Sequence, residues 1–303
     1  MQSEKKLGDR ENITIKIALP TDCKYILSGK LIVSEKSKFQ KIEVMQHSYF
    51  GKILLLDRDI QLTERDEFIY HEHLIHPAML ALQNPKDVLI IGGSDGGALR
   101  EVLKYNSVKE ATVVDIDEKV AEISKKYLKT VCGTVFEDKR SKFYFTDGRK
   151  YLENCAKNKK KFDVIAVDLT EPFGPSKYLY TKEFYKLVSD ALNKEGAVTL
   201  HALSPYETPK SFAGIINTVK SVFSYTKIQL AGIPSFGFPW SFVLASRKPI
   251  NVKKIREKKE KLNLKLRSFS VSMLEETPPI AEEILKKTKI IFTDKNPCSD
   301  RGR

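Results

Sequence analysis

Residues 86–105 read KDVLIIGGSDGGALREVLKY, and this stretch decides the class of fold. A short apolar run, VLII, is followed by six residues of which four are glycine, and then by a segment with helical spacing. Glycines in such a turn permit positive φ and let the backbone approach a ligand closely. The order of strand, glycine-rich turn and helix therefore predicts an α/β unit that binds a ligand at the turn.

The same order of strand and helix repeats through most of the chain. Residues 64–82 precede the turn and place Phe68, Leu74, Ile75, Met79 and Leu82 near helical spacing, with Pro85 beyond the end. Continuous apolar strands that alternate with helices are typical of a mostly parallel, doubly wound sheet covered on both faces. After the turn we predict strands at 110–117, 142–147, 162–168, 196–203, 225–232 and 240–246, and helices at 118–129, 148–157, 181–193 and 211–223.

The N-terminal part has a different pattern, typical of antiparallel strands. Strand-like runs cover 13–20, 25–34, 38–48 and 51–62. Gly29, the polar stretch 35–38 and Gly51 are interpreted as the turns. We therefore predict two domains, a small N-terminal β-strand domain over 1–63 and a Rossmann-like catalytic domain over 64–303. The first is too short for a large core, so we expect it to pack on the second or on another subunit.

Composition excludes several classes of protein. The 303 residues are 41% hydrophobic, which supplies a real core. No run of about 18 apolar residues predicts a membrane span, and the charged N-terminus does not resemble a secretory signal. The four cysteines form no CxxC pair, which favours reduced thiols in the cytoplasm over a zinc site or a disulfide framework.

The net charge of +13 raises the question of nucleic-acid binding. Its distribution argues against that function. Residues 251–303, including the lysine-rich stretch 251–265 that we predict to be helical, carry six more basic than acidic side chains, and 157–161 add four lysines. We interpret this excess as a solvated surface, because the segments that resemble a ligand site are acidic.

Acidic residues follow four successive strands of the predicted sheet: Asp95, Asp115 with Asp117, Asp147, and Asp168 with Glu171. His201 ends the fifth. One such residue is often only a helix N-cap. Because the carboxyl ends of parallel strands meet at one edge, four together predict a cleft of negative potential.

The glycine turn fits neither the dinucleotide fingerprint GxGxxG nor a P-loop. What remains is the nucleoside-binding turn of a methyltransferase-type Rossmann fold. Asp115 lies 20 residues beyond Asp95, at the end of the next strand, where a carboxylate can hold both ribose hydroxyls. With Asp147 and Gly148, the pattern predicts an adenosyl ligand.

At this point the chain resembles a known family, the polyamine aminopropyltransferases, of which spermidine synthase is the type, and in particular its prokaryotic branch. The resemblance runs from about Gln40 to Ser246, and the fragment at 162–185 is the most specific. It is carried by LLLDRDIQLTERDEFIYHE (54–72), VLIIGGSDGGALREVLK (88–104), VVDIDEKV (113–120), TDGRKYL (146–152), FDVIAVDLTEPFGPSKYLYTKEFY (162–185) and IPSFGFPWSF (233–242).

The resemblance implies transfer of an aminopropyl group from decarboxylated S-adenosylmethionine to a diamine or polyamine, with release of methylthioadenosine. The donor is a co-substrate, and no cofactor or metal is implied. The family's subunits commonly pair through the β-domain, which implies a homodimer or homotetramer. Carried over by position, the donor and methylthioadenosine are held by Gln40, Gly92, Asp95, Asp115, Asp147, Gly148 and Pro175. The acceptor path is lined by Tyr70, His71, Asp95, Asp168 and Glu171, and Asp168 is the proton acceptor.

Four positions depart from the family pattern. Ser94 replaces the middle glycine of the turn, where we expect positive φ at a cost of about 1 kcal/mol and a crowded ligand. Glu171 replaces an aspartate and reaches further. His201 stands where glutamine is frequent, and Phe236 where some members have tyrosine. These departures bear on which amine is accepted, a question that the sequence leaves open among putrescine, agmatine and spermidine types.

The charges of the two substrates favour aminopropyl transfer, because both are cations and an acidic cleft concentrates them. The carboxylate of ordinary S-adenosylmethionine would lie near Asp95 and be repelled. Two alternatives remain open at this stage. One is an S-adenosylmethionine-dependent methyltransferase on the same fold. The other is a weakly active or non-catalytic relative that binds adenosyl ligands or, through 251–265, nucleic acid.

Overall fold

The computed structural model describes residues 12–18, 24–172 and 175–298, and within them the chain forms two sheets, of five and seven strands. The first sheet is antiparallel throughout, and its strands pair in chain order. Its strands are β1 (Asn12–Ala18), β2 (Lys24–Lys36), β3 (Lys41–His47), β4 (Gly51–Leu56) and β5 (Asp59–Thr63).

The predicted turn at Gly29 is wrong. Gly29 lies inside β2 and pairs with Ile13 of β1. A Cβ atom at this position would lie 2.3 Å from the carbonyl oxygen of Gln46 on β3. The glycine therefore serves close approach of two strands, which is the other common reason for a glycine within a strand.

The stretch 51–62, predicted as one strand, forms a hairpin of β4 and β5. Asp57 and Arg58 make its two-residue turn and both have positive φ, 48° and 74°. Two left-handed residues match the twist of the flanking strands. The local sequence does not predict this turn, because neither residue is a glycine and arginine seldom adopts this conformation.

The second sheet is the predicted α/β core, with strand order β11-β12-β10-β9-β6-β7-β8. Strands β10, β9, β6, β7 and β8 are parallel neighbours, and β12 is antiparallel to both β10 and β11. The predicted methyltransferase-type Rossmann fold is thereby confirmed. The strands are β6 (Asp87–Gly92), β7 (Glu110–Asp115), β8 (Ser141–Phe145), β9 (Phe162–Asp168), β10 (Leu192–His201), β11 (Tyr225–Gly232) and β12 (Pro239–Ser246).

Helices pack on this sheet in two groups, α1 with α2 and α8, and α5 with α6, α7 and α9. In the described part of the chain, no helix combines the length and the apolar character that crossing a membrane requires. The helices are α1 (Glu67–Ala81), α2 (Gly97–Leu103), α3 (Glu118–Tyr127), α4 (Lys129–Cys132), α5 (Gly148–Lys157), α6 (Lys182–Ala191), α7 (Pro209–Lys220), α8 (Val252–Leu262) and α9 (Pro279–Lys287).

The N-terminal sheet packs on the Rossmann core through one apolar cluster. Ile42, Val44 and Leu54 of the sheet meet Val120 and Ile123 of α3, and all five are buried. This contact brings the β2–β3 connection, which carries Gln40, next to the carboxyl end of β7. The division into domains at residues 63 and 64 falls between β5 and α1, and it stays a prediction.

Candidate active site

The carboxyl ends of five parallel strands lie side by side, and each carries or precedes a polar residue. In register, Gly92 of β6 pairs with Asp168 of β9, and Asp115 of β7 pairs with Phe145 of β8. The strand order therefore places Asp168, Asp95, Asp115 and Asp147 in sequence along one edge. This is the acidic cleft that the sequence predicted.

The glycine turn after β6 shapes the middle of the cleft. Gly92, Gly93 and Gly96 have positive φ, as expected for such a turn. Ser94 does not, so the strain expected at this departure from the family pattern is absent there. The Ser94 side chain is buried, and its backbone N–H donates to Asp115 Oδ2 over 3.2 Å. The turn therefore accommodates a serine, whose side chain points into the protein.

The nucleoside end of the cleft comprises Asp115, Asp117 and Gln40. Asp115 accepts backbone N–H groups from Ser94 and, over 3.0 Å, from Asp117. Asp117 caps α3 and accepts from Gln40 Nε2 over 2.9 Å. Burial raises the pKa of the Asp115 carboxyl above its usual value, although these hydrogen bonds oppose the shift. The predicted donor residues Gln40 and Asp115 are therefore neighbours, linked through Asp117.

Asp147 and Gly148 begin α5 at the far side of the same end. The Asp147 carboxylate is the N-cap and accepts from the Lys150 N–H over 2.9 Å. A Cβ at Gly148 would lie 2.6 Å from Ile91 Cγ2, so a glycine lets the helix approach β6. Pro175 opens a short 3-10 helix, Pro175–Leu179, but its side chain lies outside the described residues.

The amine end of the cleft centres on Asp168, which is only 9% exposed. Tyr70 of α1 donates its hydroxyl to Asp168 Oδ1 over 2.8 Å. Burial, followed by the charge of Asp95, raises the pKa of Asp168 to about 7, and His71 and the Tyr70 hydrogen bond only partly oppose the shift. Asp168 Oδ2 has no hydrogen-bond partner among the described residues. This carboxyl is therefore able to exchange a proton near neutral pH.

His71 lies between two carboxylates. Its Nδ1 is 2.7 Å from Glu67 Oε2, and its Nε2 is 3.6 Å from Asp95 Oδ1, an ion-pair distance and not a hydrogen bond. Burial alone would lower the pKa of the imidazole, but the hydrogen bond to Glu67 and the charge of Asp95 raise it to about 9. The predicted residues Tyr70, His71, Asp95 and Asp168 therefore form one cluster.

Three further residues remain: Glu171, which was predicted for the site, and His201 and Phe236, which depart from the family pattern. Glu171 follows β9, and its carbonyl accepts from Ser176 Oγ. His201 is buried, and its Nε2 lies 2.8 Å from the Leu169 carbonyl, while burial lowers its pKa to about 4. Phe236 packs edge-on against Tyr70 at 6.2 Å between ring centroids. The rings of His201 and Phe236 both lie next to that of Tyr70, at the amine end of the cleft.

Sequence reasoning missed three residues that hold His71. Glu67 is one helical turn before it, so its spacing was a usable signal. Arg100 clamps Glu67 from α2, 33 positions along the chain, with no local signal. A Cβ at Gly97 would lie 2.2 Å from His71 Cε1, so the ring packs directly on the first residue of α2.

His71, Asp95 and Asp168 also place one ligand atom each within 4.8 Å of one another, and they are the one group in the described chain that could hold a metal ion. The donor set does not fit well. With His71 protonated between Glu67 and Asp95, the imidazole has no lone pair for a metal. The cluster is better suited to an organic cation that interacts with the two aspartates.

Fold and cleft together define a class: an enzyme with a nucleoside-binding Rossmann sheet and an anionic site for a second, cationic substrate. Residues 67–255 match the spermine/spermidine synthase domain, and residues 29–64 match the spermidine synthase tetramerisation domain. The chain belongs to the spermine/spermidine synthase family. The resemblance seen in the sequence is thereby confirmed.

Curated relatives and solved structures agree with this assignment. The chain is 39% identical over 281 residues to the polyamine aminopropyltransferase of Sulfurisphaera tokodaii, covering 89% of this chain and 92% of that protein. It is 39% identical over 231 residues to that of Bacillus cytotoxicus, covering 75% and 82%. A spermidine synthase crystallised with the transition state analogue AdoDATO superposes with a TM-score of 0.85 at 32% identity, covering 94% of this chain and 99% of that one. The spermidine synthase of Thermotoga maritima gives 0.84 at 31%, covering 94% and 98%.

These likenesses confirm the predicted enzyme class, an aminopropyltransferase of polyamine biosynthesis. They also favour aminopropyl transfer over the alternative of a methyltransferase on the same fold, because the matches span both sheets. They do not test the roles of individual residues, which are considered next.

Proposed function

We propose that this chain moves the aminopropyl group of decarboxylated S-adenosylmethionine to a diamine or polyamine, with Asp168 as the proton acceptor. The amine nitrogen forms a bond to the propyl carbon, the carbon–sulfur bond breaks, and sulfur keeps the electron pair. Methylthioadenosine leaves as a neutral thioether. The proton displaced from nitrogen goes to Asp168.

The observation that carries this proposal is the environment of Asp168. An alkylamine has a pKa of about 10.4, so an ordinary aspartate near 3.9 is about 6.5 units too weak a base. With the pKa of Asp168 raised to about 7, the gap shrinks to about 3.4 units. At 1.36 kcal/mol per unit this change contributes about 4 kcal/mol toward proton transfer. A base with a pKa near the working pH is what general base catalysis favours.

The nucleoside end would hold the donor. Asp115 would bind the ribose hydroxyls, and Gln40, Asp147, Gly148 and the Pro175 turn would contact the rest of the methylthioadenosine group. Asp95 lies between the two ends, and its carboxylate is 17% exposed, so it can face the donor's propyl ammonium. Gly92 packs against the carbonyl of Asp168 and fixes the turn relative to β9.

The amine end would hold the acceptor. Tyr70 and Phe236 supply aromatic walls, which suit the methylene chain of a polyamine as well as its ammonium groups. Glu171 anchors the distal ammonium, away from the nitrogen that must become neutral. We propose no cofactor or metal for the reaction, because the sulfonium of the donor already provides the leaving group.

The subunits are proposed to form a homo-oligomer, a homodimer or homotetramer, through the N-terminal sheet. What supports this is the match of residues 29–64 to a tetramerisation domain. The cytoplasmic location expected from the cysteines and the N-terminus stays a prediction.

The test is methylthioadenosine release from decarboxylated S-adenosylmethionine with putrescine, agmatine and spermidine as acceptors. Asp168→Asn keeps the shape and can still accept from Tyr70 but cannot take a proton. We expect kcat to fall about 10²- to 10⁴-fold. The affinity for methylthioadenosine, measured by calorimetry, should stay within twofold of the wild type.

The matched control is Asp163→Asn, on the same strand at its opposite end, where the carboxylate accepts the Lys86 N–H over 2.7 Å. This variant should keep its turnover. Wild-type turnover in Asp168→Asn would remove Asp168 from the role of base. Transfer of a methyl group from S-adenosylmethionine in place of aminopropyl transfer would overturn the proposed reaction.

A further inference from the structure

Behind the active-site cluster, α1 and α2 are joined by a partly buried ion pair that the proposed reaction does not use. Arg100 holds both oxygens of Glu67, with Nη1 2.8 Å from Oε1 and Nη2 2.9 Å from Oε2. Glu67 is 6% exposed. Glu67 Oε2 also contacts His71 Nδ1, so the ion pair is linked directly to a residue of the active-site cluster.

Arg100 is itself fixed by several partners. Its Nε donates to Glu101 Oε1 over 3.0 Å, and Nη1 also donates to the Val131 carbonyl of α4. Glu101 is fully buried and accepts from His76 and Lys104. The position of Glu67 therefore depends on a network that spans three helices, and a bidentate arginine is the geometry that best orients a carboxylate.

The cleft has a charge problem that such a network can solve. Asp95 faces the proposed position of the donor's ammonium, and Asp168 must be ionised to accept a proton. Their carboxylates and the ring of His71 place atoms within 4.8 Å of one another. Two carboxylates that close tend to share one proton, which would disable one of them. A fixed positive charge beside both would favour the ionised form of Asp168.

We infer that the Glu67–Arg100 pair is a positioning device that holds His71 as an imidazolium directed at Asp95, so that Asp168 can ionise beside Asp95 before the cationic substrates bind. Nδ1–H donates to Glu67, and Nε2–H faces Asp95. Gly97 supports the ring from the side of α2. The inference rests on the proposed role of Asp168 and adds the residues that make that role possible.

The charged and titratable groups around the ring agree on the sign. The carboxylates of Glu67, Asp95 and Asp168 favour the protonated imidazole, and burial opposes it. Burial would also raise the pKa of Glu67, but the hydrogen bonds from His71 and Arg100 hold it below its usual value. The Tyr70 phenol lies edge-on to the ring at 5.2 Å, and burial raises its pKa well above the usual value, so it stays neutral. Glu67 therefore supplies the charge that keeps His71 protonated.

The test is the pH dependence of kcat/KM in Glu67→Gln, whose amide oxygen can still accept from Nδ1–H. Without the Glu67 charge, His71 loses its proton at lower pH, and Asp168 then titrates beside Asp95 without compensation. We expect the acidic limb, with a midpoint near pH 7 in the wild type, to move up by about one unit. Activity should fall about tenfold below pH 7 and approach the wild-type value above pH 9.

The matched control is Glu72→Gln. Glu72 is a buried carboxylate on the same helix, and in the described part of the chain it accepts from backbone N–H groups of residues 267–269. This substitution tests for a merely structural effect of losing a buried charge from α1. It should lower stability, but it should leave the midpoint of the pH profile within 0.2 units or so of the wild type. An equal shift in both variants would overturn the inference.

The protonation state of His71 can also be measured directly, which tests the inference even if Glu67→Gln fails to fold. In the ¹⁵N-histidine NMR spectrum of the wild type, the His71 signals, assigned by their loss in His71→Asn, should show an imidazolium at pH 7.5. A neutral ring at that pH would overturn the inference, whatever the activity of the variants. If instead Asp168→Asn were fully active while His71 remained cationic, the proposed base would be wrong and the charge state assigned here would stand.

Discussion

The two ends of the cleft are built by different kinds of contact. At the nucleoside end, Asp115 and Asp147 accept hydrogen bonds from backbone N–H groups, those of Ser94 and Asp117 for Asp115 and that of Lys150 for Asp147. At the amine end, Asp168 accepts from the side chain of Tyr70, and His71 contacts the side chain of Glu67, which Arg100 of α2 holds in turn. One end is held mainly by backbone groups and the other by side chains.

This difference has energetic consequences. A carboxylate that caps its own helix is oriented by about 1 kcal/mol of local hydrogen bonding and tolerates changes elsewhere. Removing one partner of a buried charge pair leaves the other uncompensated and costs about 3–5 kcal/mol. We therefore expect the amine end to be the more sensitive of the two, both in stability and in rate.

The largest effect is expected for Gly97→Ala, which adds one methyl group at the amine end and tests whether this end is the more sensitive of the two. Gly97 does not have positive φ, so alanine suits the backbone, but its Cβ would collide with the His71 ring. Displacing a positioned group by about 1 Å can cost about 10²-fold in rate, and overpacking costs about 1–3 kcal/mol. We expect kcat/KM to fall about 100-fold and the free energy of unfolding, from urea titration, to drop within that range.

The matched control is Gly232→Ala at the end of β11, where no heavy atom lies within 4 Å of an added Cβ. It should change stability by less than about 0.5 kcal/mol. The double variant Gly97→Ala/His71→Ala should regain stability without regaining activity. If Gly97→Ala were as active as Gly232→Ala, the observed position of the His71 ring would not be required for activity.

The same contrast explains what could be predicted from the sequence. Asp115 and Asp147 follow strands and begin turns, so local pattern places them at the edge of the sheet. Arg100 looks like an ordinary helical residue, and its contact with Glu67 arises only when α1 and α2 pack. In the N-terminal sheet, Gly29 was misread because a glycine signals either a turn or a close approach, and only the neighbouring strand decides which.

The roles predicted for individual residues depended more on the family resemblance than on the physical pattern of the sequence. Pattern alone predicted an acidic cleft and an adenosyl ligand, and the family motif at 162–185 singled out Asp168. The raised pKa of that carboxyl depends on burial and on Asp95 together, and no sequence window contains both. The strain expected at Ser94 was wrong because three glycines of the turn take the positive φ values, so that Ser94 keeps an ordinary φ.

A second prediction tests the nucleoside end. Asp115→Asn keeps an oxygen for the Ser94 and Asp117 N–H groups but loses the charge proposed to hold the ribose hydroxyls. A hydrogen bond to a charged group contributes about 1.5–3 kcal/mol, so the Kd for methylthioadenosine should rise roughly thirtyfold. Calorimetry measures it, with exposed Glu118→Gln on α3 as the control. A smaller loss in kcat than in affinity is expected, because the reacting atoms lie at the other end; the reverse would contradict the division of the cleft.

The smallest effect is expected at Asp147, where capping and ligand binding can be separated. Asparagine is as good an N-cap as aspartate, so Asp147→Asn should leave the free energy of unfolding unchanged, whereas Asp147→Ala should lower it by about 1 kcal/mol. Both variants lose the charge, so both should weaken methylthioadenosine binding by a similar factor, less than tenfold. If only Asp147→Ala weakened binding, Asp147 would act on the ligand through the position of α5 alone, and the nucleoside end would depend on its backbone even more than the contacts around Asp115 indicate.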